Sequence, residues 1–352
     1  MCEDSYAKPE ARMKRPGLPG AGRGLRAALC AVAAGLCAPL FSQTTSAIFT
    51  VPWTPEPHWA DTFDDLLFFG DADTRGAGEK TNMFYWDSRG RVKFLRGDPD
   101  PVFVLGYKVL TYDSRSDNRL VGGQFNDIAL AGATRVDGLV EGWRIDIMGG
   151  AGTANDGYFR NRQAWYPTAA LGGSRPAGAA GRFCAGIEFD GNRVLWPDVP
   201  LPYLSYRDSL GERVRYAVGI PETSLAVRLC ERTTLDLKYC FPVKCDATVE
   251  YEAAEWLRLY AQYGRTLEGF AMGAPNRDRI GLRRNQRFFH EFDRAGGGLR
   301  IATAWFDASI GGGWAFNHRF LTGWDCRGLD KYRGLEGGWY VALRMQDRKS
   351  TR

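Results

Sequence analysis

The sequence predicts an all-β fold, an antiparallel transmembrane β-barrel of about 10–14 strands with a short N-terminal extension. Three observations predict it. The first is a two-residue rhythm, seen at Arg182–Asp190, where Phe183, Ala185, Ile187 and Phe189 alternate with Arg182, Cys184, Gly186, Glu188 and Asp190. Successive side chains of a strand point to opposite faces, so this spacing builds a ribbon with one apolar and one polar side. The second is a leader with the features of an export signal. The third is the placing of Trp143, Tyr203, Tyr239, Tyr251, Trp256, Tyr263 and Trp339 near strand ends, as in the aromatic girdles of outer-membrane barrels.

Residues 1–47 are expected to be a signal peptide whose true start is Met13. Met13-Lys14-Arg15, with Arg23 and Arg26, supplies the charged region, Ala27 to Phe41 the apolar region, and Thr45-Ser46-Ala47 the small residues before cleavage. Leu29 and Leu36 stand before Cys30 and Cys37 where a lipoprotein signal wants a small residue. No later run approaches the ~20 apolar residues of a membrane-spanning helix. Residues 1–47 hold six of the 46 Lys and Arg and three of the 41 Asp and Glu, which leaves 40 basic against 38 acidic residues. The basic balance therefore belongs largely to the leader, and with no basic run interleaved with aromatics the chain is expected to bind no nucleic acid.

Residues 48–82 are expected to form a periplasmic segment outside the barrel, with Phe63, Leu66 and Leu67 at the spacing of a short amphipathic helix across Ala60–Phe69. The barrel is expected over 83–346 and a tail over 347–352. Pro101–Tyr112 is apolar on both faces, and Asn126–Val136 carries a weaker strand signal with many small side chains. Leu139–Gly149 sets Trp143, Ile145 and Ile147 against Arg144 and Asp146. Gly149–Gly181 reads as one or two strands joined by loops, and the three prolines of Trp196–Tyr203 as a stiff loop.

The rhythm returns at Arg213–Ile220, Ser224–Cys230, Thr234–Cys240, Ala247–Glu252 and Trp256–Gly264. Arg265–Arg287 reads as a polar loop, and the last strands as Phe288–Asp293, Gly298–Trp305, Phe306–Phe316 and Gly338–Gln346. Several runs are shorter than the roughly 9–11 residues that cross a bilayer as a strand. That shortfall supports the alternative of a soluble exported β-sandwich binding carbohydrate or another envelope polymer.

The polar face defines the candidate site. Arg144, Asp146, Glu188, Arg213, Arg215, Asp236, Lys238, Glu250, Glu252, Arg258 and Arg300 are expected to line the lumen as a charge network. The same-face pairs Glu250 with Glu252 and Glu188 with Asp190 belong to that network rather than to glycoside chemistry. His58, His290 and His318 offer few catalytic arrangements, and Ser309, the candidate nucleophile beside His318 and Asn317, has the opposite parity from His318 and no nucleophile elbow. Gly296–Gly298 and Gly311–Gly313 lack the Lys-Ser/Thr of a phosphate loop. No catalytic, cofactor or metal residues are expected. Cys184, Cys230, Cys240, Cys245 and Cys326 survive cleavage, and strand parity puts Cys240 and Cys245 on opposite sides of the wall, which argues against a hairpin disulfide.

The stretch from Leu105-Gly106-Tyr107 through Gln124-Phe125-Asn126-Asp127, the loop from Gly191-Asn192-Arg193 to Pro202-Tyr203, Gly219-Ile220-Pro221 and Gly312–Asn317 resemble uncharacterised exported families of outer-membrane β-barrels. The resemblance covers residues 84–346 and implies a barrel in the outer membrane without an activity to transfer. One departure is the absence of an aromatic at the end of the final strand, since Gly338–Gln346 is followed by Asp347–Arg352. The expected partners are outer-membrane lipid and small solutes. The expected role is passive solute passage or envelope structure, without enzymatic activity.

Overall fold

A computed structural model describes residues 58–350 except 76–78, 95–102, 117–122, 158, 179–180 and 304–305. The expected signal peptide lies outside the described residues. One antiparallel sheet of 17 strands closes on itself. In chain order they are β1 His58–Asp73, β2 Lys80–Phe94, β3 Phe103–Ser116, β4 Gly123–Val140, β5 Trp143–Asn155, β6 Trp165–Pro176, β7 Arg182–Asp190, β8 Leu201–Leu210 and β9 Val214–Ile220. There follow β10 Glu222–Cys230, β11 Thr233–Cys240, β12 Lys244–Ala254, β13 Leu257–Ala271, β14 Arg287–Ala302, β15 Phe306–Gly323, β16 Asp330–Gly334 and β17 Gly338–Ser350. Each strand from β1 to β16 pairs with the next in the chain except β16, whose neighbour β17 pairs with β15, and β1 pairs with β17 from His58↔Ser350 to Phe69↔Tyr340. β16 and β17 share one place beside β15, so the wall has 16 strand positions.

The barrel is larger than the expected 10–14 strands, and several boundaries move. The segment expected as a helix outside the barrel is β1, whose Leu67 and Phe69 are buried while Phe68 is exposed. Its apolar residues fall on both faces because one face meets the interior and the other the surroundings. Gly149–Gly181 divides between β5 and β6, and Phe288–Asp293 with Gly298–Trp305 is largely the single strand β14. β13 runs to Ala271, so the polar loop is only 272–286, with a short helix α1 at Ala274–Arg279. The expected tail continues β17 to Ser350. A single closed sheet excludes the β-sandwich alternative, which needs two sheets face to face.

The outer face is apolar on strand after strand. Leu130, Ile147, Leu171, Ile187, Leu204, Val218, Val249, Leu259, Leu299, Ile310 and Leu343 are all exposed. At the end of the barrel where β1 begins and β17 ends, here the terminal end, outward rings pair as Phe94 with Phe103, Trp143 with Phe183, and Tyr206 with Tyr216. Towards the other end they pair as Phe68 with Phe84, Tyr239 with Phe241, and Tyr263 with Phe316, beside Trp314 and Trp339. Eight residues separate Phe306 from Trp314 on β15, roughly 26 Å along a strand, or about 20 Å of height at a tilt of about 40°, a little less than the roughly 25 Å apolar band of an outer-membrane barrel. Two-residue turns at 141–142, 231–232 and 255–256 lie at the terminal end, and the longer loops 156–164, 191–200, 272–286 and 324–329 lie at the opposite, loop end.

The wall is not of even height. β13 pairs with β14 over Leu257–Ala271 but with β12 only over Leu257–Arg265. Its unpaired upper edge turns inward and bridges β5 in parallel, Ala271↔Asn155. Above that level the ring runs only through β13, β14, β15, the β16/β17 position and β1 to β5. A ring of that size is close to the one whose interior side chains alone can fill. Leu67, Phe69, Met83, Tyr85, Leu110, Tyr112, Phe125, Phe270, Phe288, Phe292, Phe320 and Tyr340 fill it as one buried cluster.

Below, an ion cluster spans the interior. Arg294 Nη2 donates to Asp65 Oδ2 at 3.0 Å, and Arg344 Nε donates to Asp65 Oδ1 at 3.0 Å. All three side chains are largely buried. Glycine explains the hairpin of β14 and β15, where Gly296↔Gly313, Gly297↔Gly312 and Gly298↔Gly311 face each other. A Cβ on Gly298 would meet the carbonyl oxygen of Ile310, and one on Gly313 that of Ala295. This stretch reads as a place where two backbones lie closer than side chains permit.

Two outcomes follow from these contacts. Asp65→Asn leaves two buried guanidinium groups without their counter-charge, at a cost of about 3–5 kcal/mol. It is expected to lower the temperature at which the unboiled, compact electrophoretic band is lost. Gly313→Val is expected to abolish that band, whereas Gly149→Val, with no atom within 4 Å of the added Cβ, retains it.

Candidate functional site

The register carries one face around the whole wall. From Asp65 it passes through Asp87, Leu110, Asp127 and Ala154, and in the opposite direction through Arg344, Ser309, Arg300 and Arg258. The Arg294–Asp65 contact between non-adjacent strands makes this the interior face. On it lie Arg144 and Asp146 of β5, Glu188 of β7, Arg215 of β9, Asp236 and Lys238 of β11, and Glu250 and Glu252 of β12. Arg258 of β13 and Arg300 of β14 share it, while Arg213 sits in the turn before β9.

These side chains divide into groups. Glu250 contacts Arg300 and lies 3.7 Å from Arg258, so two cations hold one carboxylate. Asp146 accepts from Arg135 Nε at 2.9 Å. Glu188 Oε1 lies 3.6 Å from Arg193, a fully buried side chain at the start of the 191–200 loop. Further ion pairs that parity alone did not single out join Lys108 to Asp127 at 2.6 Å, Arg89 to Asp87 at 2.6 Å and Lys244 to Glu268 at 3.6 Å. An ion pair needs the register as well as the face, and Lys108 stands in a stretch that reads as apolar on both faces.

At the loop end the interior is crossed by a seam. Asp127 accepts from Tyr166 Oη at 2.6 Å and from Asn192 Nδ2 at 3.0 Å. Arg287 donates to the carbonyls of Arg193, Asn192 and Gly269 at 2.8, 3.0 and 3.1 Å, which ties the 191–200 loop to the upper edge of β13. Asp156 Oδ2 receives the amide of Gly273 at 3.0 Å and Asn276 Nδ2 at 2.6 Å. Above the seam a cavity of about 270 Å³ is lined by Tyr166, Asn192, Met272, Arg284, Arg287 and Trp324, among others.

A second latch holds the same loop. Asp325 Oδ2 accepts from Arg327 Nε at 2.8 Å and from the amide of Trp196 at 3.4 Å, the amide of Cys326 donates to the carbonyl of Val194 at 2.8 Å, and the Arg327 guanidinium lies over the Trp196 ring. Trp196 has a left-handed backbone, φ 46°. Burial works against ionising Asp325, but the side chain and amide of Arg327 and the amide of Trp196 donate to its carboxylate and hold it below the ordinary range.

Ser309 and His318 do not meet. A bulge at Asn317, φ 54°, breaks the parity and turns His318 inward, onto the face of Ser309. Nine residues of one strand still separate them by roughly 30 Å. His318 packs instead in the aromatic cluster, stacked with His290 and Phe292. All five cysteines among the described residues are free, and Tyr239↔Cys245 with Cys240↔Lys244 places Cys240 and Cys245 on opposite faces. Among the described residues no group of His, Cys, Asp and Glu has the arrangement of a metal site.

No family model matches the chain, and no curated protein does. Solved structures align with it along most of its length. A bacterial polysaccharide outer membrane secretin aligns at 13% identity and TM-score 0.39, covering 83% of this chain and 99% of the other. The COG4313 outer membrane channel from Pseudomonas putida F1 aligns at 11% identity and TM-score 0.33, covering 84% and 98%. The TodX monoaromatic hydrocarbon channel, as a deltaS2 mutant, aligns at 8% identity and TM-score 0.35, covering 88% and 96%.

The Asp325 latch has a pH signature. A carboxyl held below its unfolded value near 3.9 stabilises the folded loop fully above that pH and loses the contribution as pH falls through the folded value. The loop is therefore expected to stay latched at mildly acid pH and to release in stronger acid. Asp325→Asn is expected to release it at neutral pH, read as faster amide exchange at Trp196 and Cys326 and as tryptic cleavage after Arg193.

Proposed function

We propose that this chain is an outer-membrane barrel through which small solutes pass passively, along the polar sector of its interior. The observation that carries the reading is the two-faced wall. An aliphatic belt bounded by aromatic pairs at both ends faces outward, and ion-paired polar groups face inward. An exposed belt of that extent is far larger than the apolar patches of soluble monomers, and a bilayer is the surrounding that removes its cost. Closure meets the other demand of a bilayer, since no strand edge is left without partners in the apolar layer.

The interior offers two routes of different character. Between β1 to β5 and β13 to β17 the upper ring is filled by the aromatic cluster. Along β8 to β11 the inward side chains Arg215, Arg228 and Lys238 remain exposed within the barrel. Solutes are proposed to use this second sector and to leave beneath the 191–200 loop, whose latches set how readily it moves. The interior groups described above form no catalytic constellation, and the chain is proposed to act without chemistry.

The test is reconstitution of the folded protein in planar bilayers, after membrane extraction and a heat-dependent electrophoretic shift have established the barrel. Discrete conductance steps that rise in Asp325→Asn are the expected result. Recovery in the soluble fraction without a heat shift overturns the barrel reading, and a silent barrel in both forms overturns passage.

A further inference from the structure

We propose that the interior of β7 to β10 holds a binding site for small polyvalent anions, built from Arg182, Arg207, Arg215 and Arg228. The inference rests on the barrel having this interior face, and it deepens the proposed passage by naming a class of solute. Its starting point is a contrast. Many of the interior cations described above are matched: Arg294 and Arg344 share Asp65, Arg258 and Arg300 share Glu250, and Lys108, Arg89, Arg135 and Lys244 each have a carboxylate. The four arginines of β7 to β10, like the neighbouring Lys238, form no ion pair among the described residues.

They are also neighbours. Arg182 of β7 is the register partner of Arg207 of β8. Arg207 pairs with Ala217 and Ser209 with Arg215, which puts Arg215 on the diagonal from Arg207. Arg215 in turn pairs with Ala226, so Arg228 lies on the next diagonal. Directly opposite residues have Cβ atoms about 5 Å apart and diagonal ones roughly 7–8 Å, well within the reach of an arginine side chain. The four form a continuous arc on one side of the lumen, towards the terminal end.

Like charges placed directly opposite destabilise a sheet. Arg207 Nε is buried and has no hydrogen-bond partner. Carboxylates of the same face adjoin the arc at its two ends, Asp146 near Arg182 and Asp236 beside Arg228, without forming ion pairs with it. Asp146 feels the charge of Arg182, but its hydrogen bond comes from Arg135. Asp236 is the diagonal neighbour of Arg228 on the next strand, and no ion pair joins the two among the described residues. Glu188 is occupied by Arg193, and Glu222 sits at the loop end of β10. Ser205, Ser209 and Ser224 stand on the same face and add hydroxyl donors.

A row of planar guanidinium forks with hydroxyls beside them matches carboxylate, phosphate or sulfate oxygens, which accept two parallel N–H bonds at once. An anion with two or more charged groups can bridge Arg182–Arg207 and Arg215–Arg228 together. Such an anion removes the repulsion among the four guanidinium groups, so affinity arises where the fold has left charge unbalanced. In a water-filled barrel the same arc raises the local concentration of anions over cations.

The test uses the full folded barrel in detergent, with pyrophosphate as probe and a neutral disaccharide as control. Pyrophosphate is expected to bind, measured calorimetrically, and to raise the heat-shift midpoint. Arg182→Gln with Arg207→Gln is expected to weaken it about 100-fold, roughly tenfold for each guanidinium charge removed. Lys331→Gln, on β16 at the loop end, is expected to leave it unchanged. Should the Arg182/Arg207 variant fail to fold, Arg215→Gln with Arg228→Gln, both exposed in the lumen, is expected to give the same weakening. Unchanged pyrophosphate binding in a folded variant, or binding no stronger than that of the disaccharide, overturns the site. Reversal potentials in a salt gradient separate the two proposals. A barrel that binds pyrophosphate through these arginines but never conducts keeps the anion site and loses passage. One that conducts with anion preference and affinity indifferent to the substitutions keeps passage and loses the site.

Discussion

The pairing of the first strand with the last is the constraint on which the rest of this structure depends. In an apolar layer every backbone N–H and C=O needs a partner within the protein, and a sheet meets that demand only by having no edge. β1 supplies the closure, pairing with β2 on one side and with β17 on the other from the level of Ala60 to that of Phe69. Asp65, midway along it, is also the carboxylate that Arg294 and Arg344 share. Backbone closure and an interior ion cluster therefore lie at the same place, and each holds the other in register.

Once the wall is closed, its two solvents dictate the residue pattern. The outer face of β4 to β7 reads Leu130, Ile147, Leu171 and Ile187, and the inner face of the same strands reads Asp127, Arg135, Asp146 and Glu188. Aromatics mark where the outer solvent changes. Glycines appear where that pattern would otherwise jam, as on β14 and β15, and the ring of Tyr203 lies where side chains on Gly172 and Gly186 would be. The arginines of β7 to β10 form no ion pairs among the described residues, whereas those of β13, β14 and β17 share Asp65 and Glu250.

Alternation makes the fold class and the polar face legible without coordinates, because a period of two assigns a side to every residue of a strand. It fails where both sides of a strand are apolar. Phe288, Phe289, His290 and Phe292 are all buried, the even positions in the aromatic cluster and Phe289 beneath Val194 and Leu321. There the rhythm vanishes although the strand continues. β1 imitates a helix for the same reason, since Phe63, Leu66 and Leu67 satisfy a helical spacing while Leu66, Leu67, Phe68 and Phe69 make a strand that is apolar on both sides. Small residues hide the division of Gly149–Gly181. The ion pairs need the register, and the inward turn of His318 needs a bulge that no local residue type announces.

The uneven height of the wall makes calibre a property of strand length. Because β12 stops opposite Arg265 while β13 continues to Ala271, the barrel has a wide section below and a narrow one above, built from a single sheet without any strand being added or removed. Internal width in barrels is usually set by the number of strands. Here it changes with level, so a few residues more or fewer at the tops of β8 to β12 would move the height at which the interior narrows. Such a barrel can adjust its bore by length polymorphism alone, leaving its belt, its closing pair and its topology untouched.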